Sequence, residues 1–269
     1  MEFSALLSIY GKESPTYFVR SLDSIFTQTL LPTEVILVKD GPLSSELNDV
    51  IDFYLVKYSC LKVFSLATNH GLGIALNEGL KHCSHNIVAR MDTDDIAKTN
   101  RFERQLTIFE KYPDIDVVGA WIDEFEGDVS HVNSIRKLPE YDTDIKNYAK
   151  RRNPINHPVV MFRKSAVLAA GGYQHFPLFE DYYLWVRMLM NGAKFYNIQE
   201  SLLFFRFSPA MFKRRGGWKY AMDEFRFQRM MKRMHFISFS EFVENVFIRF
   251  FNRIIPSSWR AIVYKKLLR

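Results

Sequence analysis

Short apolar runs alternate with helix-like segments through the first hundred residues of the chain. Strands are predicted at 3–9, 34–38, 61–66 and 86–91. Helical periodicity at 15–28 and 72–82 fills two of the gaps between these strands. Because strands that alternate with helices form βαβ units, the sequence predicts an α/β fold with a mainly parallel, doubly wound sheet.

A second series of elements follows residue 100. Helices are predicted at 101–112, 142–151, 164–170 and 182–190, and extended segments at 117–122 and 159–162. Beyond Phe207 the sequence becomes basic and aromatic. We therefore predict a catalytic domain over residues 1–210 and a helical tail over residues 211–269.

Polar residues stand at the ends of four predicted strands. These clusters are Tyr10 to Glu13, Asp40-Gly41, Asn69 to Gly73 and Asp92 to Asp95. Doubly wound sheets bind their ligands beyond the carboxyl ends of the strands. We therefore expect the four clusters to converge on one crevice.

Composition narrows the class of protein. With 269 residues, 48% of them apolar, the chain can bury a large core. The two cysteines, Cys60 and Cys83, have no metal-binding spacing, which argues against a disulfide framework or a structural zinc site and favours a reducing cytoplasm. The sequence shows neither a signal-peptide pattern nor an apolar run of about 18 residues, so we expect no membrane span and no classical export.

The net charge of +6 is unevenly distributed. Residues 211–269 carry 14 Lys and Arg against 4 Asp and Glu, a local balance of +10, whereas residues 1–210 total −4. This asymmetry predicts an acidic body and a basic tail that faces an anionic partner, either membrane lipid or nucleic acid.

Three carboxylates follow the apolar run 87–89 within four residues: Asp92, Asp94 and Asp95. Such a concentration of like charge favours a bound hard cation, Mn2+ or Mg2+, which takes oxygen ligands from carboxylates and substrate phosphates. The alternative is a helix cap or a solvated Asp-rich turn.

The chain resembles the family 2 glycosyltransferases of the GT-A fold over residues 3–207. The resemblance rests on an ordered series of motifs: Ser8 to Glu13, Val38 to Gly41, Asn69 to Asn77, Arg90 to Asp95, Asn156 to Pro158, Gly171 to Tyr173, Glu180 to Trp185 and Phe205-Arg206. The series is far more specific than any one motif. It implies a GT-A, Rossmann-like catalytic domain and a nucleotide-sugar donor.

The resemblance also implies roles for individual residues. Asp40 would contact the nucleotide base, a role in which a carboxylate accepts the N–H of uracil. Asp92 would face the ribose or donor sugar, Asp94 would bind the metal directly, and Asp95 is assigned no firm role because it could cap the next helix. The remaining residues predicted to bind the nucleotide-sugar are Tyr10, Glu13, Asn69, Gly73 and Arg90.

Two positions depart from the family pattern. Leu76 stands where many relatives have an arginine that reaches the donor phosphates, which leaves Arg90 and Arg101 as substitutes; Arg101 could equally be a solvated helix residue. The segment Phe205 to Ser208 lacks a histidine found in many relatives, so metal ligation from that side is unsupported.

Asp181 is the residue that the resemblance implies as general base for the acceptor hydroxyl. Direct in-line attack of this kind inverts the anomeric carbon, so a UDP α-sugar gives a β-linkage. The alternative for Glu180-Asp181 is a charged first helical turn. His157, Gly172, Glu180 and Arg206 are predicted on the acceptor side, although His157 could be a structural hydrogen-bonding residue and Gly171-Gly172 a helix C-cap. Trp185 is expected in the core.

The tail shows apolar and basic residues at helical spacing over 211–234 and 240–268. Examples are Phe242, Val246, Arg249, Phe250, Arg253, Trp259, Ile262, Val263, Lys265 and Lys266. We expect these helices to lie on an anionic membrane surface. The alternatives are packing on the catalytic domain and a homodimer interface. No nucleic-acid-binding motif is recognised, so no nucleic-acid partner is expected.

These features predict a cytoplasmic enzyme at the inner face of the cell membrane, dependent on Mn2+ or Mg2+. It would move glucose, galactose or an N-acetylated relative from UDP to a polyprenyl-diphosphate-linked saccharide during O-antigen or capsule synthesis. The alternatives are a metal-dependent nucleotidyltransferase, although the expected Gly-rich phosphate loop is missing, and a catalytically silent polysaccharide-assembly scaffold.

Overall fold

A computed structural model describes residues 1–207 and 217–254, with side chains given as far as Arg249. The predicted domain boundary at residue 210 and the tail residues Trp259 to Lys266 lie outside these ranges. The strands are β1 (Ser4–Tyr10), β2 (Glu34–Asp40), β3 (Leu61–Leu66), β4 (Ile87–Met91), β5 (Ile96–Ala97), β6 (Val117–Phe125), β7 (Val132–Arg136), β8 (Met161–Arg163) and β9 (Phe195–Arg206). The helices are α1 (Pro15–Phe26), α2 (Ser45–Lys57), α3 (Leu72–His82), α4 (Arg101–Lys111), α5 (Asp142–Ala149), α6 (Lys164–Ala169), α7 (Glu180–Met190), α8 (Gly217–Arg233) and α9 (Phe239–Ile254).

The nine strands form one sheet in the order β3-β2-β1-β4-β8-β6-β9-β5, and β7 pairs with β6. Strands β1 to β4 are parallel to one another, which is the predicted doubly wound half. In the second half β8 runs antiparallel to both β4 and β6, while β6 and β9 are parallel. The sheet is therefore mixed, and the prediction of an α/β fold is confirmed.

Two apolar cores cover the two faces of the sheet. Alternate residues of β1 and β2 point to opposite faces, as period-two strands require, so that Leu7 and Leu37 lie in one core and Leu6 and Ile36 in the other. Helices α1, α2 and α4 cover the first face. The second face is covered by α3, α5, α6, α7 and α8. Trp185 is fully buried there, as predicted.

Helix α8 belongs to the second core. Phe227 is fully buried, and its ring lies 4.9 Å from Phe179 and 4.6 Å from Tyr182 of α7. Helix α9 pairs with α8 and turns Arg249 inward onto Glu224. The apolar and basic positions of the tail are thus divided between the core and the surface. The expectation that Arg249 faces a membrane is wrong, because its side chain packs between α8 and the body.

None of the helices in the described ranges is both long and apolar enough to cross a membrane.

Candidate active site

The candidate site lies beyond the carboxyl ends of β1, β2 and β4. Tyr10 and Asp40 are register partners at the ends of β1 and β2. Tyr10 is exposed, and Asp40 is 3% exposed. The carboxylate of Asp40 accepts the backbone N–H of His70 at 2.7 Å and of Gly71 at 2.9 Å. Asp40 therefore fixes the loop that leads into α3.

Asn69 extends the same arrangement, since its amide donates to the Asp40 carbonyl at 3.2 Å. Gly71, the N-cap of α3, has φ of 91°, a left-handed value that favours glycine. The loop residues His70 and Asn69 are exposed, so this side of the crevice is open to a ligand. A carboxylate has about four acceptor sites, so the two backbone bonds leave Asp40 able to accept from a nucleobase.

Asp92, Asp94 and Asp95 lie together after β4, with one carboxylate oxygen of each within 4.8 Å of the others. Burial and the charges of Asp92 and Glu13 raise the pKa of Asp94 to about 7. Asp95 is fully buried, and burial followed by the charge of Asp94 raises its pKa. The site is therefore short of positive charge.

Glu13 and Arg206 border this acidic cluster. Glu13 accepts from the Thr93 hydroxyl at 3.2 Å, and burial raises its pKa. Arg206, at the end of β9, donates its Nε to the Asp94 carbonyl at 2.9 Å, and its backbone N–H donates to Asp95 at 2.8 Å. Asp95 therefore anchors β9 instead of capping α4, whose N-cap is Asn100. The role predicted for Arg206 on the acceptor side stays a prediction.

The donor set of the cluster fits a hard divalent cation. One buried carboxylate oxygen, Asp95 Oδ2, has no hydrogen-bond partner among the described residues. Clustered carboxylate oxygens are the ligands that Mg2+ and Mn2+ prefer. A bound cation would relieve the mutual repulsion of the three charges. Asp94, the predicted direct ligand, is placed where it could act as one.

Arg90 is 1% exposed, and both of its terminal nitrogens donate to the Asp92 carboxylate, one of them at 2.9 Å. The geometry thus shows Arg90 orienting Asp92, while contact with donor phosphates stays a prediction. Arg101 is fully buried and donates to the Arg90 carbonyl at 2.6 Å. The suggestion that Arg101 is solvated or reaches phosphates is therefore wrong. Leu76, fully buried, belongs to the core beneath α3.

A second group of residues packs against the middle of α3, at Asn77. Tyr173 and Asn77 exchange two hydrogen bonds, 2.6 Å from the Asn77 amide to the Tyr173 carbonyl and 2.8 Å from the Tyr173 N–H to the Asn77 side chain. Gly172 has φ of 65°, and a Cβ there would lie 2.7 Å from Asn77 Oδ1. Gly172 N–H also bonds the Val167 carbonyl at 2.9 Å, so the C-cap interpretation is confirmed. Its acceptor role stays a prediction.

Gly73, in the first turn of α3, packs against Tyr173 and against Glu180 of α7. A Cβ at Gly73 would stand 3.5 Å from the Tyr173 Cβ and 3.7 Å from the Glu180 Cγ. Glu180 is partly buried, and burial raises its pKa. The predicted residues Gly73, Gly172 and Glu180 therefore share one region, at the N-terminal ends of α3 and α7.

His157 lies beneath this region. Its Nε2 is 2.9 Å from the Tyr173 hydroxyl, and its ring stands edge-on to Trp185 with centroids 6.0 Å apart. Burial, followed by the nearby charge of Arg90, lowers the pKa of His157 well below its usual value. His157 is therefore a neutral, hydrogen-bonded residue that supports Tyr173.

Asp181, in the first turn of α7, is partly buried. Its Oδ2 accepts the side-chain amide of Asn153 at 2.6 Å. Sequence reasoning missed Asn153, because its contact depends on how the loop after α5 packs against α7. The only local signal was its place before Pro154, a position biased toward extended backbone.

Comparisons with known proteins agree with this geometry. The family described as Glycosyl transferase family 2 matches residues 4–170 of the chain. UDP-Gal:alpha-D-GlcNAc-diphosphoundecaprenol beta-1,3-galactosyltransferase of Escherichia coli is 43% identical over 268 residues, which cover 100% of this chain and 97% of the relative.

Two solved structures share the architecture. TarS 1-349 of S. aureus in complex with UDP-GlcNAc aligns with a TM-score of 0.68 and 16% identity, over 99% of this chain and 76% of that chain. Mannosyltransferase PcManGT from Pyrobaculum calidifontis, in complex with GDP-Man and Mn2+, aligns with a TM-score of 0.62 and 13% identity, over 98% and 75%. At such identities the likeness shows the fold, and the predicted GT-A type is confirmed.

Proposed function

Because the chain belongs to glycosyl transferase family 2, we propose that it transfers a hexose from a UDP-sugar to a lipid-diphosphate-linked saccharide with inversion at the anomeric carbon. The reaction would serve the synthesis of a bacterial surface polysaccharide. The E. coli relative, which aligns over the whole chain, is named for UDP-galactose and an undecaprenyl-diphosphate-linked GlcNAc. Galactose is therefore the favoured sugar, with glucose and N-acetylated relatives as the other candidates.

The observation that carries this proposal is that two groups of carboxylates lie near Tyr173. An acidic cluster with an unpartnered buried oxygen lies beyond β4, and a carboxylate held by an amide lies at the start of α7. The charges of Asp92, in the first group, and of Asp181, in the second, both raise the pKa of the buried Tyr173, so both carboxylates lie near that residue. The first is suited to hold a nucleotide diphosphate through a cation, and the second is suited to accept a proton from an attacking hydroxyl. A transferase needs both functions.

Asp94 would hold the divalent cation, with Asp92 and Asp95 beside it. When bound, Mn2+ or Mg2+ would neutralise charge on the diphosphate leaving group. The orphaned Asp95 oxygen and the raised pKa of Asp94 support the proposal, since burial and the repulsion among the carboxylates outweigh the nearby charge of Arg206, and a cation would relieve both. Arg90 would keep Asp92 turned toward the donor through its two hydrogen bonds.

Asp181 would accept the proton of the acceptor hydroxyl as that oxygen attacks the anomeric carbon. The anomeric carbon–oxygen bond to the diphosphate breaks as the new glycosidic bond forms, and UDP leaves with the electron pair. Asp40, with two acceptor sites remaining, would read the uracil N–H beside Tyr10. Gly73 and Gly172 would contribute backbone on the acceptor side near Glu180, because both allow close packing against Tyr173 and Asn77.

The acceptor lipid requires the enzyme to reach a membrane surface. We place the surface of contact on α8 and α9, the helices that carry exposed arginines and exposed apolar side chains. This peripheral position at the inner face of the cell membrane agrees with the excess positive charge of residues 211–269.

The test is transfer by the purified full chain from a panel of UDP-sugars and GDP-mannose to a synthetic GlcNAc-diphosphate-lipid. We expect transfer from one UDP-sugar that EDTA abolishes and Mn2+ restores, with a β-linkage in the product. Asp94→Asn should lower kcat about a hundredfold, the scale on which loss of a charge-stabilising group acts. The control, Asp114→Asn, removes an exposed carboxylate that pairs with Lys194 and should retain activity.

Two other outcomes would overturn the proposal. Release of sugar 1-phosphate instead of UDP would identify a nucleotidyltransferase, because that enzyme class attacks the phosphorus bonded to the uridine. Absence of both turnover and UDP binding with any cation would identify a silent scaffold.

A further inference from the structure

The C-terminal end of α5 is capped by side chains from distant parts of the chain. The last carbonyls of a helix have no intrahelical donor. Here the Ala149 carbonyl accepts the Tyr182 hydroxyl at 2.5 Å. The next carbonyl, of Lys150, accepts the side-chain amide of Asn245 at 2.8 Å. Helices α7 and α9 thus both hold the end of α5.

Helix α9 makes further contacts with residues 150 and 151. The Arg151 carbonyl accepts a hydrogen bond from the guanidinium of Arg249, which also pairs with Glu224 of α8. Two ion pairs join the side chains at the surface, Lys150 with Glu241 at 2.9 Å and Arg151 with Glu244 at 3.1 Å. The Glu224 side chain is 3% exposed, so its pairing with Arg249 is inside the protein, where removal of either partner is costly.

Asn153 follows two residues after these contacts. Its Oδ1 accepts the Ile155 N–H at 3.4 Å, which turns its Nδ2 toward Asp181 Oδ2 at 2.6 Å. Pro154 restricts the backbone on the far side of Asn153. The side chain that meets Asp181 is therefore held between a proline and a segment that α9 clamps.

We propose that Asn153 is a positioning residue for Asp181, and that the hairpin formed by α8 and α9 holds the 150–153 segment in the position this requires. The inference rests on the proposed function, because it assigns Asp181 the role of base. Asn153 does not touch the reacting atoms. It selects the orientation of the carboxylate that does, through a hydrogen bond to a charged acceptor.

The consequence is a physical link between the membrane-facing hairpin and the acceptor half of the site. A base displaced by a fraction of an ångström loses its alignment with the attacking hydroxyl, and the rate falls without a change in donor binding. Removal of contacts between α9 and residues 150–151 should therefore lower kcat for transfer and leave the affinity for UDP unchanged.

The first test replaces the amide donor of Asn153. Asn153→Asp keeps the shape of the side chain and removes the donor, while Asn153→Ala removes both. We expect both variants to lose about tenfold to a hundredfold in kcat, with an unchanged KM for the donor. The matched control is Asn191→Ala, at the other end of α7, which loses a 3.1 Å bond to the Ala169 carbonyl. Wild-type kcat in Asn153→Asp would overturn the proposal.

A double-mutant cycle separates positioning from a merely structural role. If Asn153 acts through Asp181, then Asn153→Ala should cost little in an Asp181→Glu background, where the carboxylate is already displaced. Equal fold losses in both backgrounds would overturn the proposal. UDP binding by every variant, measured in parallel, should equal that of the wild type. The thermal midpoint of each variant should stay above the assay temperature, because the loss of one buried hydrogen bond costs only about 1 kcal/mol.

The second test acts from the hairpin. Asn245→Ala removes the cap of the Lys150 carbonyl and should lower kcat about twofold to tenfold, with no further loss when combined with Asn153→Ala. Ser240→Ala on the same helix is the control, since Ser240 is exposed and bonds Ser238. Losses that multiply would overturn the link. A wild-type chain that transfers no sugar would instead refute the proposed function, and the two failures are therefore distinguishable.

Discussion

Individual carboxylates in this protein have different environments, and these environments separate their roles. Glu34 accepts from Ser4, Ser84 and Lys62, and these hydrogen bonds lower its pKa to about 2 despite the opposing effect of burial. At Asp94, burial and the charges of Asp92 and Glu13 dominate, and its pKa rises to about 7. The first carboxylate is structural and is ionised near neutral pH. The second is the carboxylate that we propose as the cation ligand, and its raised pKa would let it release a proton when a cation binds.

The raised pKa of Asp94 predicts an unusual pH dependence of stability without metal. Because the folded state holds the proton more tightly than the unfolded state, this contribution to stability is complete below the ordinary carboxyl pKa and is lost as pH rises through about 7. In EDTA, the thermal midpoint should therefore fall between about pH 5 and about pH 8. Mn2+ should reduce the fall, since it stabilises the ionised carboxylates.

The matched variant is Asp94→Asn, which should show a shallower fall of the midpoint over the same pH range. His157, whose pKa is lowered, changes stability in the opposite direction as pH falls, but equally in both proteins. The difference between the two proteins therefore reports Asp94 together with Asp95 and Glu13, whose charges interact with it. Parallel curves for the two proteins would contradict the assignment.

Among the elements, α8 shows that a basic tail can be part of the core. Phe227 contacts the rings of Phe176, Phe179 and Tyr182, which leaves no ring face for a lipid. Phe227→Ala should lower the free energy of unfolding by about 3–5 kcal/mol, the usual cost of deleting a buried phenyl ring. Denaturant unfolding gives this difference, and Phe239→Ala, which removes a ring that is 64% exposed, is the control.

A wild-type unfolding midpoint for Phe227→Ala would mean that α8 is not packed on α7. In that case the hairpin could leave the body, and its link to Asp181 would fail with it. A change of about 0.5 kcal/mol or less is expected for the exposed control.

The helices and strands also show which parts of the fold can be predicted from the sequence. Strands β1 and β2 follow from apolar runs such as 35–38, and α4 from its amphipathic period. Sequence reasoning missed α2, because Phe53, Leu55 and Val56 are apolar yet exposed and blur the buried stripe. It missed β9 because buried Asn197, which bonds two loop carbonyls, interrupts the apolar pattern.

The sequence predicted some residues of the candidate site and missed others, for a similar reason. Residues at or just after the ends of strands, such as Asp40 and Asp92, have positions set by the topology, and the structure brings them to one edge of the sheet. Asn153 and the burial of Arg101 depend on packing between elements far apart in sequence, which no local pattern records. The direct phosphate contact expected of Arg90 stays a prediction, and its bond to Asp92 could not be read from spacing alone.

At the scale of the whole molecule, helices α8 and α9 present a surface that has an apolar part and a basic part. Three apolar side chains on α9, at i, i+4 and i+8, are exposed: Phe239, Val243 and Phe247, at 64%, 48% and 62%. On α8 the exposed arginines are Arg226, Arg229 and Arg233. The two parts meet where the Lys232 ammonium lies 4.6 Å from the centre of the Phe239 ring. Apolar anchors beside basic groups suit an anionic lipid surface.

This surface predicts binding of the full chain to vesicles that contain phosphatidylglycerol, and little binding to vesicles of phosphatidylcholine alone. Each basic group near an anionic surface contributes about 1 kcal/mol, a contribution that salt screens, so binding should weaken as salt rises from about 0.1 M to about 0.5 M.

The triple change Phe239→Ser, Val243→Ser and Phe247→Ser should lower partitioning at least about tenfold, because each apolar side chain gains about 1–3 kcal/mol on burial. The control, Phe53→Ser with Val56→Ser, alters exposed apolar residues of α2 on the opposite face of the sheet and should leave partitioning unchanged. Equal loss in both variants, measured by vesicle sedimentation, would mean that general surface hydrophobicity drives binding and that the hairpin is not the membrane contact.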